Sequence, residues 1–207
     1  MMRPLAVLVL GFVLQAGSPS PTAIRVVILG APSVETARGL EFGAFESAQT
    51  AKLLGFSVER VSVPDPDSYG FVVADGGSPP GGRPAVYVSA AQSPADSCRF
   101  FIGAADVDGA LLWHPSLDRF GASELNERFT RRYQVPMTSE AWSGWAAMKA
   151  LVESALRRGP DEDSCTSLTR LRFDGHKGRP LYFDPDTRIL AQPRYILKDG
   201  RVIGERE

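Results

Sequence analysis

Residues that do chemistry are scarce in this chain. Of its 207 residues two are histidines and two are cysteines. A metal site or Ser-His-Asp triad built on His114 or His176 would need further ligands or partners beside them. No HExxH, GxSxG or CxxC spacing occurs to supply these. Glycines follow expected strands at Gly30 and Gly76-Gly77, but neither GxGxxG nor GxxxxGK[ST] is present, which argues against a nucleotide site. Charge of one sign is also lacking. The formal net charge is −1, without the basic excess that nucleic-acid binding usually shows. There is no internal repeat, no heptad run and no low-complexity segment. These absences point away from an enzyme, a resident cofactor, a metal protein and a nucleic-acid partner.

The one long apolar run is short of a membrane span. It covers residues 5–14, follows Arg3 and is succeeded by small residues and prolines. A spanning helix needs about 20 apolar residues. A basic start, an apolar centre and a small-residue end are instead the marks of a secretory leader. The expected organisation is a leader over residues 1–23, with cleavage near Ala16 or Ala23, and one domain over residues 24–207. The expected location is the periplasm, with no stable membrane insertion once the leader is removed. In that oxidising compartment Cys98 and Cys165 are expected to form a disulfide, unless the fold holds them too far apart.

Residues 24–31, IRVVILGA, form a continuous β-branched run, the signature of a strand buried on both faces in a parallel sheet. A helix is expected over 34–54, from Ala37, Leu40, Ala44, Ala48 and Ala51, with Gly55 ending it. Further strands are expected over 56–63, 69–75, 85–89, 98–102 and 110–113. Such alternation favours a parallel sheet with right-handed crossovers, although the loop after the third strand is too short for a crossover helix. Helices are expected over 123–133, capped by Ser123, and from Thr138 to Gly159-Pro160, with Trp145, Met148, Val152 and Ala155 facing a core. An acidic loop over 161–164 and short strands over 171–173, 181–183, 194–197 and 202–203 complete the chain.

A set of local patterns in the second half resembles one family. They are Trp113-His114, Arg119-Phe120-Gly121-Ala122, Leu125-Asn126-Glu127-Arg128-Phe129, Pro136-Met137-Thr138-Ser139, the helix of Trp142 and Trp145, and Asp174-Gly175-His176-Lys177-Gly178. Together they resemble periplasmic ABC-transporter substrate-binding proteins of the branched-chain amino-acid type. The nearest subgroup is the one found with PQQ-dependent alcohol dehydrogenases. The resemblance implies an α/β fold of the periplasmic-binding-protein kind, a small-molecule ligand and an ABC permease as partner. Such proteins have two lobes joined by three crossovers. Here only residues 103–112 stand where most of a second lobe would be, so the fold expected is a single lobe with a C-terminal β-hairpin.

Open α/β sheets place ligands outside the carboxyl ends of their strands. The residues expected there are Ser33, Asp75, Gly76, Ser89, Ala90 and Gln92, with Pro32 beside them. The stretch from Tyr87 to Gln92 also resembles the family's ligand-holding segment. Trp113 and Trp142 are candidates to stack on a planar ligand, the alternative being that both pack in the core. Asp65/Asp67, Asp106/Asp108 and Asp184/Asp186 could suggest calcium, but the loop from Asp65 has Gly76 where an EF-hand needs a bidentate Glu. Turns are the other reading of these pairs. Two functions follow. One is a solute-binding protein serving PQQ-dependent alcohol oxidation. The other is an accessory that docks a dehydrogenase, cytochrome or permease through an open strand-end face.

Overall fold

A computed structural model of the protein describes residues 22–75, 77, 79–88, 98–104, 106–107 and 109–206. The leader expected over residues 1–23 lies outside these apart from Thr22 and Ala23, which begin the first strand. Five strands form the main sheet: β1 (Thr22–Leu29), β2 (Phe56–Val61), β3 (Ser68–Val73), β4 (Ala85–Tyr87) and β5 (Arg99–Phe101). All pair in parallel, in the order β2-β1-β3-β4-β5. The elements expected from the sequence appear within a residue or two of their expected bounds, except the last strand, expected over 202–203, which runs over Arg201–Arg206.

β1 shows why its apolar run is continuous. Ile24 and Val26 point into the main core, while Val27 points the other way, onto Phe71, Val73 and Ala85. Both faces are covered at Val26 and Val27, where the strand is apolar throughout, while Arg25 reaches Glu59 and Asp67 near the surface. The main core lies beneath α1 (Val34–Leu53) and α3 (Ser139–Arg157). These helices approach at backbone distance: a Cβ on Gly39 would overlap the Ala141 carbonyl, and Gly43 meets Trp145 and Met148. The pairing of Gly39 with Ala141 and Gly43 with Met148 makes the helices run in the same direction. The Gly39-xxx-Gly43 spacing was legible in the sequence as a close-packing face and was not read as one.

Capping follows the side-chain logic, with one correction. Ser33 caps α1 by accepting from the Thr36 N–H, and Thr138 caps α3 by accepting from Ala141 N–H. α2 (Ala122–Tyr133) is capped by Gly121 in a left-handed conformation, not by Ser123, whose hydroxyl donates to Glu124. The expected acidic loop ends in a further short helix, α4 (Ser164–Arg170). Asp163 caps it by accepting from the N–H groups of Cys165 and Thr166. An Asp followed by Ser-Cys-Thr is a capping signal that the surrounding acidic residues concealed. α4 places Cys165 against the end of the loop into β5, where it is joined to Cys98 with a Cα–Cα distance of 5.2 Å. The expected disulfide is therefore present.

Within residues 103–112 the expected strand is present as β7 (Ala110–Leu111), joined by β6 (Asp106–Val107), which pairs antiparallel with it, and β7 pairs with β11 (Arg194–Lys198), which pairs with β12 (Arg201–Arg206). The result is a four-stranded antiparallel sheet. Between α4 and β11 lie β8 (Phe173–Asp174), β9 (Pro180–Phe183) and β10 (Leu190–Ala191), a second small antiparallel sheet. Three segments thus run between the main domain and the four-stranded sheet: residues 102–104, 112–113 and 192–193.

Candidate functional site

The carboxyl edge of the main sheet is organised around the boundary between β1 and β3. These neighbours lead in opposite directions, since β1 continues into α1 and β2 on one side while β3 continues to β4 and β5 on the other. Ligands gather at such a switch point. Ala74 N–H donates to the Leu29 carbonyl at 2.9 Å and Ala31 N–H to that of Asp75 at 3.1 Å, so the two strand ends stay zipped beyond the sheet. Gly30 is required there: its φ is +84° and a Cβ would overlap the Asp75 carbonyl. This zip brings the 30–33 segment beside Asp75. Ser33 and Asp75 are both exposed at this edge. Because α1 and α3 run in the same direction, both helix N-termini, with their partial positive charge, lie at this end. Gly76, Ser89, Ala90 and Gln92, also expected here, lie outside the described residues.

Trp113 and Trp142 are brought together, but in the core. Their relative exposures are 1% and 0%, and the rings stack with centroids 6.0 Å apart and planes 10° from parallel. The packing alternative is therefore the one realised, and neither ring faces solvent at the strand-end edge. Each indole N–H is satisfied, Trp113 Nε1 by Asn126 Oδ1 at 2.8 Å and Trp142 Nε1 by the Gly175 carbonyl at 3.3 Å. The backbone of Trp113 exchanges two hydrogen bonds with the Ser139 hydroxyl at the start of α3. Trp113 thus fastens the 112–113 segment onto α2 and α3.

The buried residue that sequence reasoning missed is Lys177. It is 3% exposed, and its Nζ donates to the carbonyls of Leu112 (2.6 Å) and Pro193 (3.1 Å) and to Gln192 Oε1 (2.8 Å). Gln192 in turn donates to the Ile102 carbonyl at 2.7 Å. The Nζ also lies 4.0 Å from the Trp142 ring centroid and 5.2 Å from that of Tyr195. Arg194 donates to the carbonyls of Ala104 and Ala110. All three segments leading to the four-stranded sheet are thereby tied to one another by three side chains. Desolvation, and after it the charge of Arg194, pushes the Lys177 ammonium well below the ordinary lysine range. Three oxygen acceptors and two ring faces act in the opposite sense. With no carboxylate among those contacts, desolvation is the larger influence. In the sequence Lys177 is an ordinary turn residue of DGHKG, and no local pattern announces its burial.

The remaining candidates resolve into local structure. His114 Nδ1 is bonded to Ser116 within one turn, and burial lowers its pKa. His176, expected to be solvated, is half-buried with its ring centroid 5.7 Å from that of Trp145. Asp65 accepts from the Asp67 N–H, Asp106 from Gly109, and Asp184 from Asp186 and Thr187, all within turns. Among the described residues no group of three or more His, Cys, Asp or Glu side chains is placed to hold a metal ion, and no helix is long and apolar enough to cross a membrane.

No family model and no curated protein sequence matches the chain. Solved structures do resemble it. An ABC-type branched-chain amino acid transporter protein from Rhodopseudomonas palustris gives a TM-score of 0.61 at 8% identity, covering 84% of this chain and 90% of the other. The branched-chain amino acid transporter substrate-binding protein LivJ from Streptococcus pneumoniae, in complex with isoleucine, gives 0.55 at 8% identity, covering 89% and 98%. A second ABC transporter protein from Rhodopseudomonas palustris gives 0.55 at 10% identity, covering 86% and 96%. At such identities the likeness is one of fold, and in fold this chain is similar to the substrate-binding proteins of branched-chain amino acid ABC transporters.

Proposed function

We propose that this chain is an exported solute-binding protein that delivers a small carboxylate-bearing ligand to an ABC permease, in association with PQQ-dependent alcohol oxidation. The observation that carries the reading is the zipped carboxyl edge of β1 and β3, with exposed Ser33 and Asp75 beside two helix N-termini. A helix N-terminus offers N–H donors and partial positive charge to a carboxylate, and Asp75 offers a partner for an ammonium on the same ligand. The likeness of fold to a protein crystallised with isoleucine supports an amino-acid-like ligand. The link to alcohol oxidation is supported by the sequence patterns around Trp113, Trp142 and Asp174–Gly178. Of the two leader cleavage positions, one near Ala16 keeps β1 whole, whereas one after Ala23 removes the pairs of Thr22 with Phe56 and Ala23 with Ser57.

We read the four-stranded sheet as taking the place of a clamshell's second lobe, with Lys177, Gln192 and Arg194 tying it to the main domain. Ligand then meets a preformed face and not a closing cleft. A thermal-shift panel of isoleucine, acetate and PQQ tests the reading. One of these should raise the melting temperature, and Asp75→Asn should abolish the shift of an amino acid while leaving that of a simple carboxylate. If none stabilises the protein but a periplasmic dehydrogenase or cytochrome binds it, the docking-accessory reading replaces this one.

A further inference from the structure

A cavity of about 800 Å³ lies away from the strand-end edge, between α1 and α3, with Arg128, Arg131 and Arg132 of α2 along one side. Its lower wall is apolar, with Trp145, Val152 and Leu156 from α3. Phe45 of α1 and Leu54 just past its end stand 46% and 57% exposed at its mouth. From Phe45 to Leu54 the helical rise makes the trough about 13 Å long. It is thus elongated, and larger than a single amino acid requires, since pockets for drug-sized ligands span roughly 300–1,000 Å³.

The rim is cationic on a chain whose net charge is −1. Five cations line the cavity against two carboxylates, Glu46 and Glu153. Glu46 accepts from Arg128 at 2.6 Å and from Trp145 Nε1 at 2.9 Å. Glu153 pairs with both Lys149 and Arg157 at 2.6 Å. Arg132 pairs with Glu41 from outside the cavity and lies over the Phe45 ring at 4.4 Å. Among the described residues this leaves Arg131, at the α2 end, as the cavity cation with no carboxylate partner. An uncompensated guanidinium at one end and an apolar trough leading away from it are complementary to an amphiphilic anion.

We infer that this cavity is a second binding site, taking an elongated apolar carboxylate with its head at Arg131 and its chain along α1 and α3 towards Leu54 and Leu156. The site is separate from the strand-end edge and does not rest on the reading given to that edge. Decanoate below its micelle concentration is the probe, titrated calorimetrically into the mature protein. Acetate and decyltrimethylammonium serve as controls for charge without chain and chain with the opposite charge. Decanoate should bind with one saturable site, at least tenfold more tightly than either control. Arg131→Glu should weaken it about fivefold, the effect of a partly exposed charge. Phe45→Glu, which puts a carboxylate at the apolar mouth, should abolish it. Both side chains are exposed, so both variants should melt as the wild type does. No saturable binding, equal binding of the cationic amphiphile, or binding indifferent to both Arg131→Glu and Phe45→Glu would each overturn the inference.

Discussion

Replacing Trp142 by alanine is the perturbation that separates packing from ligand contact at the centre of the second half. Trp142 is fully buried, stacked on Trp113, bonded through Nε1 to the Gly175 carbonyl and covered by the Lys177 ammonium. Truncating a buried tryptophan to alanine costs about 3–5 kcal/mol through lost transfer energy and the cavity left behind. Losing the partner of a buried carbonyl adds about 1 kcal/mol, and losing an aromatic pair adds a similar amount. These losses overlap, so the expected total is about 5 kcal/mol. For a domain of this size each kcal/mol moves the melting temperature by roughly 2–4 °C, which puts the variant about 10–20 °C below the wild type. Trp142→Phe, which keeps an aromatic face but not the indole donor, should fall between. Thermal denaturation followed by circular dichroism gives the answer, with the ligand panel run on the same samples. A Trp142→Ala protein that melts within about 3 °C of wild type yet no longer responds to ligand would refute the packing argument and make Trp142 a site residue.

Two further outcomes follow from buried contacts. Gly39→Ala should lower stability by about 2–3 kcal/mol, because its Cβ meets the backbone carbonyl of Ala141, which cannot swing aside; the helix-propensity gain of about 1 kcal/mol is outweighed, and a rise in denaturation midpoint would contradict this. For Lys177 the folded pKa lies well below the ordinary 10.5, so between those values the unfolded chain binds the proton that the folded chain lacks. Stability should therefore rise as pH increases towards 10.5, and urea titrations should show that slope disappear in Lys177→Met; a slope retained in the variant would assign it to another group.

Elements governed by local pattern were legible in the sequence, and contacts between distant segments were not. The apolar run of β1, the Thr138 cap and the Gly159-Pro160 stop are local signals, and each sits where it was expected. The Cys98–Cys165 bond was inferred from compartment alone and is present. Ser123 failed as a cap because the Phe120-Gly121 turn, with both residues at positive φ, starts α2 earlier than any side-chain signal shows. A strand was expected over 110–113 and is present as β7, but β6 was not, because a two-residue strand has no periodicity to detect, and the pairing of β7 with β11 spans more than 80 positions. Placing the Trp pair at a ligand face used the chemistry of indole without its depth, and depth is set by Asn126, Ser139 and Gly175, remote in sequence from one or both rings.

The same long-range ties decide how binding energy can be used. In a two-lobed clamshell the linking segments flex, and ligand shifts the balance between open and closed forms. Here the segments at 102, 112 and 192–193 are joined through Lys177 and Gln192. Separating any one of them strands a buried donor or acceptor, which costs about 1–3 kcal/mol, and more where the ammonium is the group left unpaired. Splaying the segments breaks several such bonds at once. A state some 5 kcal/mol above the ground state needs a ligand that prefers it by about 10⁴-fold before it dominates. A small solute with one carboxylate has no surplus of that size. On the function proposed above, its affinity would come from contacts already in place at the β1–β3 edge, which the Ala74–Leu29 and Ala31–Asp75 hydrogen bonds hold in order. Weakening the Lys177 and Gln192 ties should therefore lower stability while leaving ligand affinity almost unchanged, the reverse of what a hinged binding protein would show.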